Sequence, residues 1–373
     1  FIDKNAGSGK VVNAGGMTLG GTDAGNYNLT ATAGTGTGTI TQAQIASVTG
    51  ITATGKTYDG TDAAILNAGA TFNGLLGSDS LSFTATKAAF SDKNAGTGKT
   101  VNVSGIALGG ADAGNYTLAS NTASGTGAIT PKALTVTGVT AGNKVYDGTL
   151  AASLTGGALN GMVSGETLSL SGLTGTFATQ NAASNIAVTA RGAQLADGTG
   201  LASNYTVSNP TGVTANITPK ALTIGGIAAG NKVYDGTLAA SLTGGALQGL
   251  VGDETLVLSG TTGMFGDKNA GSNKTVTVSG ASLADGTGLA SNYTVASPTD
   301  VTASITARVL TVTGQLAGNK VYDGNAQASL FGGVLSGLVA GETLGFGGQS
   351  AAFVDKNAAT AKAVTVTGTT LVD

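Results

Sequence analysis

Three side chains recur together with the makings of a covalent self-cross-link: Lys144, Glu166 and Asn204, repeated as Lys232, Glu254 and Asn292 and, with an aspartate in the middle, as Lys56, Asp79 and Asn115. A lysine amine, a carboxamide and an acid catalyst held in an apolar core can condense to an isopeptide bond with loss of ammonia. The plainer reading makes all three surface or turn residues, and it is the one expected here. Acidic turns at Asp197-Gly198 and Asp285-Gly286 raise the question of calcium. That ion takes about six to eight oxygens, usually from several close carboxylates, whereas the carboxylates here stand mostly singly. No cofactor is therefore expected, and calcium at a junction between modules is the one option left open. The chain has no His and no Cys. That removes imidazole and thiolate metal ligands, the cysteine nucleophile and the imidazole base. Its only glutamates are Glu166, Glu254 and Glu342, so no carboxylate pair repeats, and an array of near-identical units is a poor way to build one active site. No enzyme is expected.

The elements that carry these residues are set by a ruler of tyrosines. Tyr58, Tyr146, Tyr234 and Tyr322 each open a Tyr-Asp-Gly triplet, 88 residues apart. Tyr27, Tyr116, Tyr205 and Tyr293 each follow an asparagine, at spacings of 89, 89 and 88. No tyrosine is left over, so one module is copied head to tail. Cutting before Lys132-Ala133-Leu134-Thr135 and its equivalents gives whole modules at 43–130, 131–218 and 219–306, a C-terminal part of a module at 1–42 and an N-terminal part at 307–373.

Within 131–218 the periodicity is that of short strands. Leu134 and Val136 alternate with threonines, and Val213, Ala215 and Ile217 alternate at the other end, the period of half-buried strands. Further strands are expected at 144–146, 166–171, 186–189 and from Tyr205. Residues 150–163 fit neither period and allow two short strands or a strand with one helical turn. Six to eight strands in a module, with turns every 8–12 residues, predict an antiparallel β-sandwich. Asp112-Ala113-Gly114-Asn115-Tyr116 resembles the approach to an immunoglobulin tyrosine corner. The expected fold is thus all-β, an extended rod of Ig-like antiparallel sandwiches of about 88 residues, joined without Gly/Ser spacers at stretches such as Ile129-Thr130-Pro131-Lys132.

Two further motifs mark the period. Phe1, Phe90, Phe265 and Phe353 open Phe-x-Asp-Lys-Asn-Ala, whereas Phe177 keeps the ring and continues Ala178-Thr179-Gln180-Asn181. The loss of both charges in one copy points to a turn rather than a charged site. In Lys-x-Tyr-Asp-Gly the tyrosine and aspartate could face a ligand, but a small core without Trp needs its aromatics inside, so buried rings and capping aspartates are expected.

Charged residues make up 10% of the chain and the net charge is −3. No basic patch meets a phosphate backbone, which argues against nucleic acid, and no apolar run is long enough to span a membrane.

Lys144-Val145-Tyr146-Asp147-Gly148-Thr149, then Glu166-Thr167-Leu168, Asn204-Tyr205-Thr206-Val207 and Ile217-Thr218-Pro219-Lys220-Ala221-Leu222 resemble the YDG-type repeat of large bacterial surface proteins. Such repeats occur in filamentous-haemagglutinin-like adhesins, many exported by two-partner secretion. The resemblance covers the whole chain. It implies an extracellular stalk or matrix fibre at the cell surface, serving adhesion or biofilm, with neighbouring repeats as the first partners and polysaccharide or a host surface as further ones. The absence of Cys suits a chain threaded through an oxidising periplasm. The alternative is a multivalent glycan-binding array drawing on avidity, for which exposed tyrosines would speak and buried ones would not. Residues 1–42 also carry strands that 307–373 lacks, so one molecule's fragment could complete another's. The simpler explanation is an excerpt from a longer array.

Overall fold

The computed structural model describes residues 1–372. It is built from short strands and single 3-10 turns. Residues divide into two compact units: Phe1–Gly142, Ala151–Ala178 and Ile186–Ala215 in one, and Asn143–Leu150, Thr179–Asn185 and Asn216–Asp373 in the other. The second unit thus takes the Tyr-Asp-Gly segment at 146–148 from the repeat that precedes its first whole one.

The repeat 219–306 shows the architecture complete. A five-stranded sheet runs Lys232–Val233, Thr302–Thr306, Gly271–Ser279, Thr262–Phe265, Ala239–Ala240. A three-stranded sheet runs Leu242–Gln248, Lys220–Ala229, Tyr293–Ala296. Leu256–Ser259 and Ser282–Asp285 form a separate pair. The apolar members of the alternating strands turn inward: Leu222, Phe265, Val276, Val278 and Ile305 are all buried, as a period of two dictates. The stretch left open in the sequence resolves into two strands in two copies, Ala151–Ala152 and Leu154–Asn160 in one and Ala239–Ala240 and Leu242–Gln248 in the next.

The sheets are mixed rather than purely antiparallel. Lys220–Thr223 pairs in parallel with Tyr293–Ala296, and Lys232–Val233 in parallel with Ile305–Thr306. Both parallel partners lie about seventy residues apart, which gives the chain the long return that a parallel pairing needs. The tyrosine-corner likeness also stops at the sequence. The Tyr116 hydroxyl accepts from the Leu76 amide, forty residues upstream, not from backbone a few residues away.

In the first unit the core of 43–130, with Ile45, Phe90 and Val101 at its centre, runs on without a break into Leu134 and Tyr205 of the following repeat. Burial therefore does not stop at the repeat boundary. The strand Thr122–Thr130 passes into Lys132–Ala141 across the single residue Pro131, whose fixed φ leaves little freedom there.

Candidate functional site: the joints between repeats

Each Tyr-Asp-Gly turn is locked from inside. Asp235 Oδ1 accepts from the Thr237 amide and hydroxyl at 2.9 Å, and from Lys232 Nζ at 2.8 Å. The lysine ammonium also lies 5.4 Å from the centre of the Phe265 ring. Burial pushes the Asp59 carboxyl of the matching turn up, but bonds from Lys56 and Thr61 outweigh it and bring it down to about 2. The glycine is required twice over. Gly236 has φ +77°, and a Cβ there would stand 2.9 Å from Val339 Cγ1 of the next repeat. Gly60 and Gly148 meet Val163 and Val251 in the same way.

That turn presents its tyrosine forward, to the neighbour. Tyr146 donates to Glu254 Oε1 at 2.6 Å, a partner 108 residues ahead and therefore in the next repeat. Tyr293 donates to the other oxygen, Oε2, at 2.6 Å, and accepts from the Val251 amide at 3.0 Å. The two rings meet edge to face with centroids 5.3 Å apart. Beside them the buried Asn292 accepts from the Ala182 amide at 2.8 Å and donates to Asn181 Oδ1 at 3.0 Å, again across the boundary.

The same arrangement joins 43–130 to the following repeat. Tyr58 and Tyr205 donate to Glu166 Oε1 and Oε2 at 2.5 and 2.7 Å, with ring centroids 5.3 Å apart. Asn204 bonds the Ala95 amide and Asn94. Here Lys93 adds an ion pair to Glu166 at 3.3 Å. Gln180 holds the corresponding place in the Tyr146 joint, so the copy that lost its turn charges also lost this cation. At the first joint Asp79 replaces the glutamate, accepting from Tyr116 at 2.8 Å and from Lys4, while Asn115 accepts from the Ala6 amide at 2.9 Å. At the last, Tyr234 donates to Glu342, with Lys268 at 3.4 Å.

The electrostatics follow the geometry. Burial, then the glutamate bond, pushes the phenols of Tyr58, Tyr146 and Tyr205 up to about 12. Burial raises the Glu166 carboxyl, but bonds from Tyr205, Tyr58 and Lys93 prevail and leave it below its ordinary value. At Glu342 the bond from Tyr234 is the largest influence and lowers the carboxyl too. A half-buried carboxylate with donors on both oxygens is a fixed, charge-assisted clasp, and it is built from two repeats at once.

The tyrosine landmarks sort by their neighbours. Tyr58, Tyr116, Tyr146, Tyr205 and Tyr293 are buried, at 5% exposure or less, and Tyr234 is half-buried. Tyr27 and Tyr322 are 74% and 58% exposed. Phe90, Phe177 and Phe265 are buried, Phe353 is half-buried and Phe1 is exposed. The Asp-Lys-Asn segments form turns, Asn94 and Asn269 donating their amides to Asp92 and Asp267 at 2.8 Å.

The cross-link sets that fall within one unit are not brought together. Lys232 is held by its own turn, Glu254 by tyrosines and Asn292 by Asn181. Lys56, Asp79 and Asn115 are likewise bonded to Asp59, Tyr116 and the Ala6 amide. Asp197 and Asp285 each accept one amide, from Ala202 and Ala290 at 2.7 Å, and so open the 3-10 turns before Tyr205 and Tyr293. Among the described residues no group of three or more Asp or Glu converges.

Sequence reasoning missed the carboxylate and the asparagine as joint residues. The signal was present: a residue type used only three times, always 88 residues apart, holds one structural position.

The fold and these joints define a tandem array of β-modules coupled by carboxylate clasps. The YDG domain model matches residues 1–35, 41–123, 130–212, 218–301 and 306–373, and the chain belongs to the YDG domain family. No curated protein matches it.

Proposed function

We propose that the chain is a segment of an extracellular stalk or fibre of a bacterial surface adhesin, giving reach and mechanical continuity in cell adhesion or a biofilm matrix. Export by two-partner secretion suits a repeat array free of cysteine. The observation that carries the reading is the convergence of Tyr146 and Tyr293, from neighbouring repeats, on the half-buried Glu254. A joint of this kind resists bending and separation because the charge-assisted bond from Tyr146 to Glu254 crosses the repeat boundary and must break for the repeats to move apart. Contacts between nearest neighbours make stability a sum of repeat and joint terms, which is what a load-bearing spacer requires. No catalytic role is assigned to any residue.

The alternative, a glycan-binding array, finds less support. In the complete repeats Tyr58, Tyr116, Tyr146, Tyr205 and Tyr293, which would form stacking platforms, are buried and Tyr234 is half-buried, and their hydroxyls are spent on carboxylates at the joints.

Small-angle scattering on the full chain and on versions lacking one or two whole repeats tests the stalk. Maximum dimension should fall by a constant increment per repeat removed. A dimension that grows only as the cube root of mass contradicts it. Saturable binding to a panel of host and bacterial polysaccharides, retained when the joints are intact, would favour the alternative.

A further inference from the structure

The repeat 43–130 carries an opening that its sister copies have closed. In 131–218 the chain turns through Gly156-Gly157 on its way from Leu154, which pairs with Ala141, to Leu159, which pairs with Val136. Gly157 rests on the core there: a Cβ on it would stand 3.0 Å from Leu170 Cδ2 and 3.3 Å from Val139 Cγ2. Gly245 of 219–306 is covered in the same way, by Ile224 and Leu258 at 3.5 and 3.6 Å. The matching glycine of 43–130 is Gly69, with φ +123°, and nothing stands within 4 Å of the place its Cβ would take. Two features of the sequence bar the closed form. Leu66 and Phe72 pair with Ala53 and Val48 as Leu154 and Leu159 do with Ala141 and Val136, but five residues separate them instead of four. Ala68 also stands where the sister copies have Gly156 and Gly244, at φ +77° and +75°. A Cβ at those two positions would meet the carbonyl oxygens of Gly138 and Gly226 at 2.4 and 2.2 Å. The segment 67–70 therefore bulges away, and a cavity of about 650 Å³ lies under it, inside the range of about 300–1,000 Å³ usual for small-molecule sites. Its floor is Leu66, Leu81 and the edge-to-face pair of Phe72 and Phe83, with centroids 6.5 Å apart. No lining residue is charged. Of the polar ones, Asn67 is spent on Thr52 and Thr54, and the Thr86 hydroxyl on the Ser104 carbonyl.

We propose that this groove is a binding site for a small, uncharged, apolar molecule, an aromatic or alicyclic body held between the Phe72 and Phe83 rings and the raised segment 67–70. The sister copies indicate the chemistry of the occupant. Where the segment is closed, its glycine meets aliphatic carbons of Leu170 and Val139, so the surface laid open in 43–130 is one that favours hydrocarbon over water. A charged ligand would find no countercharge there. A sugar would have to give up its water for rim groups that are already bonded. Every residue of the groove belongs to the complete repeat 43–130, and the inference stands whether or not the array is an adhesin stalk.

N-phenyl-1-naphthylamine, an uncharged dye that brightens in apolar surroundings, is titrated into the full 373-residue chain and followed by fluorescence. Two variants, each checked by circular dichroism, locate the site. Ala70→Trp fills the groove with a side chain. Ala68→Gly with Thr71 deleted restores the spacing and the Gly-Gly pair of the sister copies and so closes the segment. Saturable binding is expected, and both variants should weaken it at least tenfold, the equivalent of about 1.4 kcal/mol. No saturable binding to the unaltered chain overturns the proposal. So does binding that either folded variant leaves unchanged. Displacement of the dye by a neutral sugar such as maltose would make the groove a sugar site and overturn the apolar assignment.

Discussion

Tyr146→Phe removes one oxygen and leaves the ring, so no large cavity opens. The lost bond runs from a buried tyrosine's hydroxyl to a half-buried carboxylate at 2.6 Å, and bonds to charged groups are worth about 1.5–3 kcal/mol. Gln180 stands where Lys93 and Lys268 supply a cation in the other joints, so nothing replaces the lost donor and the cost should be about 2 kcal/mol. Tyr58→Phe should cost slightly less, because Lys93 stays 3.3 Å from Glu166. Tyr234→Phe should cost less again, in a joint where the Glu342 side chain is 28% exposed. Tyr322 is 58% exposed, and its change to Phe should stay within about 0.5 kcal/mol. Urea unfolding followed by far-ultraviolet circular dichroism reads the series. A cost of about 2 kcal/mol moves the midpoint by roughly 1 M at a slope of about 2 kcal/mol/M. All four tyrosines sit in the same Lys-x-Tyr-Asp-Gly segment. If the hydroxyl acted within its own repeat, the four changes would cost the same. A Tyr322→Phe penalty equal to that of Tyr146→Phe refutes the joint.

Acid should loosen the joints. The carboxyls of Glu166, Asp79 and Glu342 are lowered, so their contribution is present above the unfolded values of about 4.3 for glutamate and about 3.9 for aspartate and lost as pH falls through the lower folded values; a urea midpoint that stays flat from about pH 7 to about pH 3 argues otherwise. Alkali should loosen them by the opposite sign. Tyr58, Tyr146 and Tyr205 are raised to about 12, so stability present below about 10 is lost as pH climbs through 12, and phenolate absorbance should rise together with loss of structure. Gly148→Ala forces a side chain onto φ +75° and to 3.0 Å from Val251, and should cost about 1–3 kcal/mol by thermal or urea unfolding. Gln180→Lys should place a cation beside Glu254 and stabilise by up to about 1 kcal/mol, an effect that fades in high salt.

Much of the fold could be read from the chain because strands write themselves locally. Leu134 and Val136, or Val213, Ala215 and Ile217, alternate with polar residues and are found alternating into the core. Asp-Gly and Asp-Lys-Asn mark turns by short-range chemistry, and they form turns. The joints were harder to see because their bonds span 108 residues, more than one period. A tyrosine in one copy is completed by a glutamate in the next, so comparing copies position by position never sets the two side by side. The likeness of Lys232, Glu254 and Asn292 to a cross-linking set failed for the same reason. Each residue is spent on a different partner, two of them beyond the repeat boundary. The parallel pairings of Lys220–Thr223 and Lys232–Val233 are long-range as well, and alternation is blind to strand direction.

The central claim is that neighbouring repeats are coupled through the tyrosine–carboxylate clasp. Hydrogen exchange read by mass spectrometry, repeat by repeat, on the Tyr146→Phe/Glu254→Gln double variant tests it most directly. The account predicts faster exchange in both 131–218 and 219–306, with 43–130 changed least. Faster exchange confined to 219–306 alone, or unchanged exchange in both, would contradict it.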